Sequence, residues 1–87
     1  MPVHEAVVTL ESEAHGQMVL LVTEMIPGHT FSVAGLHQFK FIDVTYHLYN
    51  GRIHGMGRDG YFDEIVASVE AFLSYQARKE KLNTSPV

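Results

Sequence analysis

The sequence predicts an α+β domain: an antiparallel sheet of four to five strands packed against one long C-terminal amphipathic helix. Three observations predict it. Apolar residues recur at helical spacing from residue 62 onward, apolar and polar residues alternate over residues 42–49, and Asn50-Gly51 follows that alternation directly. The expected organisation is a single domain over residues 1–82, with a polar, proline-bearing tail over 83–87.

Residues 3–11 carry Val3, Val7, Val8, Thr9 and Leu10 and read as a strand. Residues 17–26 fit two patterns. Ala14, Met18, Leu21, Val22, Met25 and Ile26 fall on a helical stripe, but Gly16 interrupts it and Val19, Val22 and Thr23 are β-branched. The favoured reading is a hairpin around Glu13-Ala14-His15-Gly16, with the helix as the alternative. After the Pro27-Gly28 turn signal, residues 29–36 read as a further strand.

Ile42, Val44, Tyr46 and Leu48 alternate with Asp43, Thr45, His47 and Tyr49, the period of a half-buried strand. Asn50-Gly51 suits a type I′ turn, which needs positive φ at both central positions. That turn pairs Tyr49 with Arg52, Leu48 with Ile53, His47 with His54, Thr45 with Met56 and Asp43 with Arg58. Leu48 and Ile53 should face the core, and His47 and His54 should face outward. Phe39 and Phe41 are out of phase with Ile42, which predicts a bulge or strand break near residue 41. In the helix, Phe62, Ile65, Val66, Val69, Phe72 and Leu73 form the apolar stripe. Asp63, Glu64, Ser68, Glu70 and Ser74 should occupy the other face, with Asp59 as the N-cap.

Composition narrows the function classes. With no cysteine, disulfides, thiolate nucleophiles and zinc-thiolate sites are excluded. A net charge of −4 opposes nucleic-acid binding, which needs a basic stripe to displace counterions. Phe31, Phe39, Phe41, Tyr46 and Tyr49 could form a base-stacking platform, but only Lys40, Arg52 and Arg58 accompany them, so core packing is expected for most. The longest apolar run, Met18–Val22, is far short of the ~20 residues that span a bilayer. The residues after Met1 lack the basic and apolar segments of a secretory leader, so no membrane partner and a cytoplasmic location are expected.

Gly55-Met56-Gly57-Arg58-Asp59-Gly60 spells the dinucleotide fingerprint between a strand and a helix. The chain after Gly60 is mostly helix, which leaves no second parallel strand for a βαβ unit. Asp59, Asp63 and Glu64 would also repel a phosphate. Gly55 and Gly57 are better read as permitting close backbone approach, with Gly60 leading into the helix. No cofactor is expected.

Six histidines are many for 87 residues. His47 and His54, opposed across the hairpin, could offer two imidazoles to a divalent metal with Asp43 as a distant third ligand, an incomplete site. His4, His15, His29 and His37 lie at turns or strand ends without ligand spacing. No G-x-S-x-G elbow is present. A small enzyme would need a Ser, His and Asp that converge only in three dimensions.

Elimination leaves recognition by contact. Val19-Leu20-Leu21-Val22 puts apolar side chains on both faces of a strand, and such a strand needs two covering layers. One is the helix; the other would be a second copy of the chain, as a homodimer, or a different protein. The expected function is a small non-enzymatic binding or regulatory module, an inhibitor or adaptor. Its size and charge class includes small acidic proteins of phage and mobile elements. A histidine-based metal-binding domain and a small enzyme are the alternatives. The expected contact surface is the outward hairpin face: Asp43, Thr45, His47, Tyr49, Arg52, His54 and Arg58, with Tyr49, Arg52 and Arg58 as anchors.

Overall fold

A computed structural model describes residues 4–55 and 60–84, with side chains as far as residue 78. Five strands form one antiparallel meander in the order β1-β2-β3-β4-β5: β1 His4–Ser12, β2 Gly16–Ile26, β3 Thr30–His37, β4 Lys40–Tyr49 and β5 Arg52–His54. The sheet curls against one helix, α1, Phe62–Thr84. This is the α+β arrangement that the periodicity predicts. Residues 17–26 are strand, as the favoured reading had it. α1 takes in the first two residues of the expected tail, and residues 85–87 lie outside the described residues.

Each turn has a backbone reason. At Ile26-Pro27-Gly28-His29, the His29 amide donates to the Ile26 carbonyl at 2.9 Å and Gly28 has φ +69°, the signature of a type II turn. At Asn50-Gly51 both φ values are positive, 50° and 75°, and the pairs Tyr49–Arg52, Leu48–Ile53 and His47–His54 form in the expected register. The expected continuation to Thr45–Met56 and Asp43–Arg58 lies outside the described residues, as does Asp59.

The bulge or break expected near residue 41 does not occur. β4 starts at Lys40 and pairs with β3 in unbroken register, so Phe41 simply points outward. The phase is set one turn earlier. Gln38 and Phe39 have φ of 49° and 66° and close the hairpin in two residues, with His37 opposite Lys40. Right-handed strand twist favours this turn geometry even without glycine. The register shift falls instead in β2, between Glu24 and Ile26.

The core lies between the inner sheet face and α1. Met18, Leu20 and Val22 of β2, Phe31 and Val33 of β3, and Ile42 and Tyr46 of β4 meet Tyr61, Ile65, Val69 and Phe72. Leu48 and Ile53 are half-buried, with Ile53 packed on this cluster, while His47 and His54 are exposed. Three helix positions depart from expectation. Phe62, placed on the apolar stripe, is 38% exposed. Ser68 is fully buried, its hydroxyl donating to the Ile65 carbonyl at 2.7 Å, because a small residue lets the helix sit close to the sheet. Glu64 turns inward to Ser12.

Two glycines are required by close approach. A Cβ on Gly35 would fall 2.9 Å from the Val19 carbonyl oxygen, and one on Gly55 would fall 2.2 Å from Tyr46 Cδ1. Gly55 thus permits the close approach expected of it; Gly57 lies outside the described residues.

Candidate functional site

Strand pairing generates a graded outer face. Because successive side chains alternate, the residues opposite the helix line up in rows across the sheet. One row reads Glu5, Thr23, Ser32, Thr45 and is polar. The next reads Val7, Leu21, Ala34, Asp43. One step further lie the pairs Thr9–Val19 and Leu36–Phe41, beside the Gln38-Phe39 turn. No described residue covers this apolar end: Val7 is 67% exposed, Leu36 66%, Phe41 63% and Phe39 100%. Val19, Leu21 and Met25 are also exposed. Of the five aromatics expected mostly in the core, only Phe31 and Tyr46 are buried, and Phe39, Phe41 and Tyr49 face water. For Phe39 and Phe41 the reason is the phase set by the Gln38-Phe39 turn; Tyr49 faces outward in the expected hairpin register.

The hairpin residues predicted to make contact occupy the polar end. Asp43, Thr45, His47 and Tyr49 are exposed on β4, and Arg52 and His54 are exposed on β5. Arg58 lies outside the described residues. Thr30 knits this end together: its hydroxyl lies 2.7 Å from His29 Nδ1 and 3.2 Å from His47 Nδ1. One hydroxyl carries one proton, so two neutral rings must use different tautomers here. The His29 and His47 rings are 5.6 Å apart, and Tyr49 meets His54 edge-on at 5.8 Å. Among the described residues, no three His, Asp or Glu side chains are grouped to hold a metal ion.

A second polar cluster joins the β1–β2 turn, the end of β3 and the start of α1. His37 is buried; its Nε2 donates to the His15 carbonyl at 2.9 Å, since a carbonyl can only accept. In the neutral ring, Nδ1 then accepts from the Tyr61 hydroxyl, also at 2.9 Å. His15 stacks on Tyr61 with ring centres 4.3 Å apart. Ser12 Oγ accepts from the amides of Ala14 and His15 and donates to Glu64 Oε2. That hydrogen bond, chiefly, holds the Glu64 carboxyl below its usual range; desolvation opposes it, and the backbone amide and the nearby His15 and His37 add to it. Glu64 Oε1 is buried with no hydrogen-bond partner among the described residues. The Ser12 hydroxyl faces a carboxylate rather than the imidazole of a Ser-His pair.

Near the other end of the helix, buried Glu24 accepts from the Gly28 amide at 2.9 Å and from Gln76 Nε2 at 3.0 Å, with His4 Nδ1 at 3.5 Å. Ser12–Glu64 and Glu24–Gln76 thus fasten both halves of α1 to the sheet.

Sequence reasoning placed His15 and His37 at turns or strand ends without ligand spacing and missed this cluster. No local spacing announces contacts that span tens of residues. It also omitted the apolar end of the outer face from the contact surface, although the two-sided run Val19–Val22 was the available signal.

Fold and site define a small α+β protein: a five-stranded meander, one covering helix and an open outer face. No protein-family model, no curated protein and no solved structure matches the chain. Among the described residues, no helix is long and apolar enough to cross a membrane.

Proposed function

We propose that this chain is a small non-enzymatic protein-binding module, an inhibitor or adaptor in the cytoplasm, that engages a partner through the outer face of its sheet. The observation that carries this reading is the uncovered apolar end of that face, where Val7, Val19, Leu21, Leu36 and Phe41 adjoin one another. Contiguous exposed apolar surface bordered by polar groups is the usual mark of an interaction site. Here Asp43, Thr45, His47 and Tyr49 supply the polar border on the same strand as Phe41. An apolar centre excludes water while a polar rim sets orientation. Phe39 and Phe41 then act as aromatic anchors, and Tyr49 and Arg52 as rim contacts.

Comparative capture from host lysate tests this, using wild type, Leu36→Glu and Phe41→Glu. Both substituted side chains are exposed, so the fold should survive. Wild type should retain a discrete protein that both variants lose. Equal retention by all three would remove the outer face from consideration.

A further inference from the structure

We infer that β1 is the pairing edge of a homodimer, in which two copies join antiparallel about a two-fold axis at Val7 to form one continuous ten-stranded sheet. This rests on the edge of the sheet and is independent of the partner proposed for the outer face.

A sheet edge displays unpaired amide and carbonyl groups, and folded proteins blunt such edges with short strands, proline, lysine or bulges. At the other edge, β5 spans Arg52–His54 among the described residues. β1 runs nine residues, His4–Ser12, without proline, lysine or glycine, and pairs with β2 in unbroken register. Among the described residues, neighbouring strands occupy only one side of it. This is the geometry that accepts another strand.

For a second copy of the chain, charge and pattern select the register. In a two-fold antiparallel pair, residues of the same face meet only when the axis falls on a residue. An axis at Val8 sets Glu5 directly opposite Glu11 of the other copy, twice, and like charges so placed repel. An axis at Thr9 sets Glu11 against Val7. An axis at Val7 opposes Val7 to itself, Glu5 to Thr9 and Ala6 to Val8, with no like-charge pair. The same axis extends the row Ala34–Leu21–Val7 into its own mirror across the junction, making one apolar band six side chains long. The isologous contact closes on itself, as most homo-oligomers do.

Light scattering across the micromolar range tests the proposal on wild type, Val7→Lys and Leu36→Glu. Wild type should show the mass of two chains. Val7→Lys should halve the mass while keeping the wild-type far-ultraviolet circular dichroism, because Val7 is exposed and outside the core. Leu36→Glu, on β3, should remain dimeric even where it abolishes partner capture, which separates this inference from the outer-face reading. Should Val7→Lys unfold, Thr9→Lys repeats the test at the next exposed outward position of β1. A wild-type monomer throughout the range, a Lys variant that stays dimeric, or dissociation by Leu36→Glu would each overturn the proposal.

Discussion

Ser12 Oγ and Glu64 Oε2 lie 2.5 Å apart, joining the last residue of β1 to the first turn of α1 across 52 positions of sequence. The same oxygen accepts the amides of Ala14 and His15, so one hydroxyl shapes the turn and docks the helix. Ser12→Ala should cost about 1–3 kcal/mol, because it removes a charge-assisted hydrogen bond from a partly buried carboxylate. Urea denaturation measures it. A change near zero would mean that water replaces the hydroxyl.

Glu64 sets an acid limit on stability. Its folded pKa lies below the unfolded value, so its stabilisation is fully present above the ordinary carboxylate range, about 4.3, and is lost as pH falls through the folded value. In urea titrations between about pH 3 and 7, wild type should weaken toward the acid end. Glu64→Gln should be less stable at neutral pH and show a shallower acid slope. Parallel profiles would place the acid sensitivity elsewhere.

Tyr46 acts at the opposite end of the scale. Burial raises its folded pKa, so its contribution is intact below the unfolded tyrosine value of about 10 and is lost as pH rises through the folded one. Tyr46→Phe should therefore flatten the alkaline stability profile. An unchanged alkaline slope would assign the loss to another group.

Gly55→Ala should destabilise by about 1–3 kcal/mol, the usual cost of overpacking. Its Cβ would sit 2.2 Å from Cδ1 and 2.4 Å from Cε1 of Tyr46, a ring itself packed near Phe62. Thermal melting gives the answer. An unaltered midpoint would show that the ring can move aside.

The Gln38-Phe39 turn should respond in the opposite direction. Both residues have positive φ, which costs a side-chain-bearing residue about 1–2 kcal/mol. Replacing the pair with Asn-Gly should raise the melting temperature while diminishing partner capture, since Phe39 is fully exposed at the tip. Loss of stability would mean that the Phe39 ring supports the native turn.

Local pattern made the secondary structure legible. Alternation at 42–49, the Asn50-Gly51 pair and the stripe from Ile65 to Leu73 each follow from geometry within a few residues of sequence. The β4–β5 register was readable because a two-residue turn permits one pairing. The phase of Phe41 was not: Gln38-Phe39 carries no glycine or asparagine, so nothing local marked it as a turn.

The candidate surfaces divide the same way. That β2 is apolar on both faces is a property of Val19–Val22 alone, and the sequence determined that some apolar surface would exceed what one helix covers. Tertiary structure decided the rest: which end of the outer face stays bare, that Glu64 turns inward to Ser12, that His37 lies between Tyr61 and the His15 carbonyl, and that β1 is left as the open edge. Periodicity is a one-dimensional property set by 3.6 residues per helical turn and two per strand repeat, so a sequence displays it directly. Contacts such as Ser12–Glu64 and Gln76–Glu24 form only once the chain has closed loops of about fifty residues, and no local spacing encodes which groups then meet.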